Sequence, residues 1–313
     1  MDSLAVPLSR EDLEQELQSR TGLIPVSLDS VSRRIVWTDV EQFHFYDGLF
    51  DDGLRMWNSI RNSPPKSFTT SLDVLDSVRI PPPLLSPGCF IFHAARCGST
   101  LLAQVLARSR ENMVFAEAGP HNRIWDTATG VTACRNLFLA MGRRRLLSYR
   151  SHIVKFTSFN ILRFQRIRET FPSVPALFLF RDPSAMLNSY RRSPPSWMRS
   201  GQETGKDLST PETAIEAFFR AALAIGDPDF RCLNYADLTP KSIASVLQFL
   251  RLETGPRELG LMTGGFLWDA SNRGNSRSFA PRRPAPLSQD QKTAVPDTLQ
   301  ELYSRLRVWK PVL

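Results

Sequence analysis

The apolar run Cys89-Phe90-Ile91-Phe92-His93, closed by a Gly-containing turn, leads into a helical pattern over residues 99 to 108. In that pattern Leu101, Leu102, Val105 and Leu106 fall on one side. A short continuous apolar run bounded by a turn reads as a strand buried on both faces. The same order recurs: Ile153-Val154-Lys155-Phe156 precedes a helix near residues 161 to 168, and Ala176-Leu177-Phe178-Leu179-Phe180 precedes one at 184 to 192. A strand near 230 to 235 and a helix at 242 to 252 extend it. Buried strands alternating with helices predict an α/β fold, a parallel sheet flanked by helices.

Upstream, the spacing of Leu13 and Leu17 predicts a short amphipathic helix over residues 10 to 20, and residues 33 to 38 predict a strand. Pro81-Pro82-Pro83 and Ser86-Pro87-Gly88 then break the chain. The expected organisation is an N-terminal extension, residues 1 to 88, packing on a main domain, residues 89 to 313. Hydrophobic residues at 42% and charged residues at 22% are ordinary for a globular protein. No apolar run reaches the roughly 20 residues of a membrane span, and the N-terminus lacks a basic segment followed by an apolar stretch. Cys89, Cys97, Cys134 and Cys232 form no C-x-x-C pair, which fits a reducing, cytoplasmic setting without a structural zinc. The net charge of +8 predicts affinity for anions. No block of five like charges marks a nucleic-acid tail.

The turn itself, His93-Ala94-Ala95-Arg96-Cys97-Gly98-Ser99-Thr100, has the makings of an oxyanion site. A loop between a buried strand and a helix aims successive backbone N–H groups at one point, and the helix dipole adds positive potential there. Gly98 permits close approach, Ser99 and Thr100 carry hydroxyls, and Arg96 offers a planar charged fork. A nucleoside triphosphatase loop needs G-x-x-x-x-G-K-[ST]. Here His93 stands in place of the first Gly and Ser99 in place of the Lys, so the loop suits a phosphate that carries no magnesium.

On these residues the chain resembles the sulfotransferases that use 3'-phosphoadenosine 5'-phosphosulfate (PAPS), over roughly residues 89 to 285. The resemblance implies the P-loop NTPase-like fold of that family, with PAPS as co-substrate and no metal. In its protein-tyrosine branch an Arg opens the loop and a catalytic Glu lies 21 residues further on, which from Arg96 lands on Glu117. A carboxylate beside Phe115 and Ala116 is expected to have its pKa raised by desolvation; His121 is the nearest alternative base. The family also places an Arg at a strand end with a Ser eight residues later on the 3'-phosphate, matched here by Arg181 and Ser189. Lys155 ends an apolar strand, where the cytosolic family members follow the Lys with a His two residues on; Thr157 stands there instead. Tyr235 in Tyr235-Ala236-Asp237-Leu238 resembles the adenosine-side stretch, and Arg277 and Arg282 resemble the loop that closes over the nucleotide.

The resemblance therefore assigns Glu117, Arg96 and Lys155 to catalysis, and Arg96, Cys97, Gly98, Ser99, Thr100, Arg181, Ser189, Tyr235, Arg277 and Arg282 to the nucleotide. His121, Trp125 and Trp197 are candidate walls of a pocket for a small-molecule or peptide hydroxyl. Two rivals stay open. A small-molecule kinase or nucleotide hydrolase on the same fold would need Asp182 on magnesium, and a catalytically silent anion or nucleic-acid binder would need neither. Neither the acceptor nor the oligomeric state is encoded in these motifs.

Overall fold

The computed structural model describes residues 7–192, 194, 198, 208–266 and 295–312. Five strands form a parallel sheet: β4 (Pro87–His93), β5 (Asn112–Ala116), β6 (Ser151–Lys155), β7 (Ala176–Phe180) and β8 (Phe230–Asn234). A smaller antiparallel sheet precedes them, built from β1 (Leu23–Asp29), β2 (Arg34–Asp39) and β3 (Ser67–Ser71). The parallel sheet runs in the order β5-β6-β4-β7-β8, with β4 at its centre.

Alternation along β4 explains why its sequence is apolar throughout. Phe90 and Phe92 enter one core, while Cys89 and Ile91 enter another on the opposite face. In β7, Phe178 and Phe180 join the first core, and Leu177 and Leu179 join the second. Successive strand side chains point to opposite faces, so a strand with helices on both sides has no polar side to display. The first core takes α5 (Val131–Met141), α6 (Phe164–Thr170), α8 (Pro211–Leu223) and α11 (Asp297–Val308). The second takes α3 (Ser99–Ala107), α9 (Ile243–Phe249) and α10 (Pro256–Gly265).

The residues before β4 carry α1 (Arg10–Ser19) and α2 (Phe50–Ser59) beside their small sheet. Ser9 caps α1 by accepting from the Asp12 N–H, which satisfies one of the orphan donors of a helix start. Leu13, Leu17, Trp37 and Leu72 lie in the same buried cluster as Phe90 and Phe138. The Arg143 guanidinium, just past α5, reaches back to the carbonyls of Leu17, Arg20 and Leu23. Three backbone acceptors stand where a carboxylate partner is usual, and burial lowers the Arg143 pKa to about 10. Strand β4 starts at Pro87, two residues ahead of the expected boundary.

Candidate active site

All strands of a parallel sheet end on the same side, and ligands bind outside those carboxyl ends. The residues singled out from the sequence sit there. His93 ends β4, Glu117 follows β5, Lys155 ends β6, Arg181 follows β7 and Tyr235 follows β8.

The β4 loop is wound through the left-handed region at Ala95 (φ 57°), Arg96 (φ 51°) and Gly98 (φ 87°). Such turns direct backbone N–H groups into one concavity, the geometry of an anion nest. The Ala95 N–H donates to His93 Nδ1 at 3.0 Å, and Cys97 Sγ donates to the Leu179 carbonyl at 3.2 Å. Cys97 is buried and its thiol is pushed up to about 11 by that burial, so it offers a ligand only its backbone. Gly98 is required twice over. Its φ disfavours any side chain, and a Cβ would lie 2.2 Å from Tyr235 Cδ2 and 2.3 Å from Cε2. Ser99 is buried at the first turn of α3, and Gly48 of the N-terminal segment packs on the Thr100 methyl.

Tyr235 links the loop to the far strand. Its ring touches Gly98 and carries the Arg181 guanidinium 4.6 Å from its centroid, a cation–π contact. A second bridge joins the same parts: Arg96 Nε donates to Ser189 Oγ at 2.8 Å, and Ser189 lies on α7 (Pro183–Arg192), which begins two residues after Arg181. Arg96, Gly98, Arg181, Ser189 and Tyr235 are thus one contiguous group. Asp182, the residue a magnesium-dependent rival would need, caps α7; its Oδ1 accepts from Ser184 Oγ at 2.6 Å and the Ala185 N–H at 3.1 Å.

Glu117 adopts φ 57° immediately after β5, and its N–H donates to the Lys155 carbonyl at 2.7 Å. Its Oε1 pairs with Lys155 Nζ and lies 3.3 Å from His93 Nε2. The ammonium is fully buried, whereas the carboxylate side chain keeps 26% of its exposure. This corrects the expected pKa of Glu117. Desolvation does push the carboxyl up, but Lys155 and His93 together outweigh it and hold the group well below the usual carboxylate range.

Two pocket candidates are also corrected. His121 is completely buried, its ring 4.4 Å from that of Phe138 and beside Phe115 and His152, so it lines no open pocket and faces no acceptor. Trp125 is 3% exposed and packs on Phe138 with Arg166 over its ring. The short α4 (Gly119–Arg123) and the turn after it point these side chains into the core. Trp197, Arg277 and Arg282 lie outside the described residues.

Two polar residues at the site make contacts that the sequence alone does not assign to them. His93, which opens the loop in place of a Gly, faces both the Ala95 N–H and Glu117. Asn122, 4% exposed, accepts at Oδ1 from the Thr157 N–H (2.9 Å) and Asn160 Nδ2 (2.8 Å), and donates to the Ala118 carbonyl (2.9 Å). It ties the loop after β5 to the loop after β6. No sequence signal marks Asn122, because its burial arises only when the two loops pack together.

No family model matches the chain, and no curated protein does. Among the solved structures similar to it are three sulfotransferases. The sulfotransferase domain from the curacin biosynthetic pathway shares 16% identity, with 72% of this chain and 99% of that one covered, at a TM-score of 0.44. Sulfotransferase STF9 from Mycobacterium avium shares 12% identity over 97% of each chain, at 0.45. Mouse sulfotransferase SULT7A1, complexed with PAP, shares 12% over 76% of this chain and 88% of that one, at 0.40.

Proposed function

We propose that the protein transfers the sulfuryl group of PAPS to an acceptor hydroxyl by in-line displacement. The observation that carries this reading is the joining of Gly98 to Arg181 through Tyr235, with Arg96 bonded to Ser189. Residues assigned to opposite ends of a bisphosphorylated nucleotide form one surface. The loop N–H groups and Arg96 hold the 5'-phosphosulfate, while Arg181 and Ser189 hold the 3'-phosphate.

Glu117 accepts the proton of the attacking hydroxyl. The acceptor oxygen bonds to sulfur as the bond from sulfur to the bridging phosphate oxygen breaks, and the nucleotide leaves as 3'-phosphoadenosine 5'-phosphate (PAP). Lys155 gives the Glu117–Lys155 ion pair a mechanistic use. In the resting site the ammonium keeps the carboxylate ionised and able to take a proton. Once charge builds on the departing phosphate, Lys155 turns toward it, and the carboxylate, released from its partner, becomes a stronger base. Fixed cations balance the charge with no step assigned to a metal.

The test is calorimetric titration with PAP, followed by a labelled-sulfate transfer screen over phenols, alcohols and tyrosine peptides. Micromolar PAP binding with label transfer to at least one hydroxyl class is expected. Binding of ATP with magnesium but not of PAP would overturn the reading.

A further inference from the structure

His93 occupies the position where a triphosphatase loop carries its first Gly, and it touches both halves of the site. It ends β4 at 4% exposure. One ring nitrogen, Nδ1, accepts the N–H of Ala95, the first residue of the left-handed bend. That bond dictates the tautomer: with Nδ1 accepting, the proton of the neutral imidazole resides on Nε2. Nε2 is buried without an aligned hydrogen bond and has Glu117 Oε1 3.3 Å away, and the Phe156 backbone also faces the ring. A buried N–H without a well-formed bond is costly, and contacts that are long in an empty site tighten when a ligand closes it.

We propose that His93 is a positioning residue that couples the phosphate loop to the base, fixing the Ala95 amide with Nδ1 and orienting the Glu117 carboxylate with Nε2–H. The coupling to catalysis rests on the sulfuryl-transfer reading; the two contacts do not. The coupling works because the ring is rigid and spans both partners. Movement of the loop onto a phosphosulfate moves the donor that faces the carboxylate. Burial and the adjacent Lys155 charge lower the His93 pKa, keeping the ring in the neutral form that can both accept and donate. The charged groups facing it are Lys155 and Glu117.

The two contacts can be separated by substitution. His93→Asn retains an amide oxygen in place of Nδ1 and loses the reach to Glu117. His93→Gln retains an amide N–H in place of Nε2 and loses the acceptor for Ala95. Glu117 ionisation is read by infrared titration of 13C-Glu protein, with Glu117→Gln as the assignment control, and the loop is read by hydrogen exchange at the Ala95 amide. In His93→Asn, Glu117 is expected to bind its proton about tenfold more tightly with Ala95 exchange unchanged. In His93→Gln, Ala95 is expected to exchange at least about tenfold faster with Glu117 unchanged. If both variants alter both readouts together, lose the folded state, or leave Glu117 unmoved in His93→Asn, the ring is core filling and the proposal fails. Absence of PAP binding by the unmutated protein would sink the donor assignment alone, since neither readout needs the nucleotide.

Discussion

Tyr235 is where a single residue decides most. Its ring leaves no room for a side chain at position 98 and holds Arg181 against the same surface. Gly98→Ala is therefore expected to destabilise the fold by about 1–2 kcal/mol through its left-handed φ, and to displace Tyr235, costing PAP affinity; thermal melts and calorimetry measure the two effects. Arg181→Ala should weaken PAP binding by about 10- to 100-fold, the loss of a charge-assisted contact. Glu117→Gln should bind PAP as the unmutated chain does and lose about 10²- to 10⁴-fold in transfer rate, the usual worth of a general base. Residue identities and spacings singled out Arg96, Gly98, Glu117, Arg181 and Ser189 before any coordinates, and the fold brings Arg96, Gly98, Arg181 and Ser189 together around Tyr235. Side-chain direction was not legible. His121 and Trp125 follow Glu117 closely in sequence, yet one short helix and a turn aim both at Phe138. The sign of the Glu117 shift was missed for a related reason. Its apolar neighbours are adjacent in sequence, whereas Lys155, which outweighs them, comes from another strand.

At the scale of elements, the strand-then-helix units were readable where an apolar run met a breaker. Strands β4, β6, β7 and β8 correspond to runs named from sequence, but β5 does not. Asn112-Met113-Val114-Phe115-Ala116 is as buried as the others, yet it begins at a polar residue and no Gly or Pro precedes it after α3. The helices α2, α5, α8, α10 and α11 and the strands β1 and β3 were not named from the sequence either. Asn122 is the element-level test. Replacing it with Ala leaves the Thr157 N–H and the Asn160 amide without an acceptor inside the protein. Buried donors left unmade cost about 1–3 kcal/mol each, so Asn122→Ala is expected to lower the unfolding free energy by about 2–4 kcal/mol in urea titration. The Glu117 loop should also exchange its amides faster, because its link to the β6 loop is gone.

For the whole molecule, the buried imidazoles set the acid limit. Burial lowers the His152 pKa to about 4, and His121, 5.5 Å away, is shifted well down by burial and by His152 itself. The unfolded chain takes up these protons near pH 6.5 while the folded one resists. Stability is thus complete above pH 6.5 and falls as pH drops from there to 4, by about 3 kcal/mol for His152 alone. Urea midpoints between pH 7.5 and 4.5 measure the slope, which should be shallower in His152→Leu. PAP at 100 times its Kd should add about 2.7 kcal/mol at any pH where it binds.

Arg143, bonded to the carbonyls of Leu17, Arg20 and Leu23, also bears on how the chain can be cut. A fragment starting at Pro87 would retain Arg96, Gly98, Glu117, Lys155, Arg181, Ser189 and Tyr235. It would also remove the three carbonyl acceptors of Arg143 and strip Leu13, Leu17, Trp37 and Leu72 from the buried cluster that holds Phe90 and Phe138. Trimming to residues 87 to 313 should therefore yield insoluble protein, because residues before Pro87 complete the core under the parallel sheet.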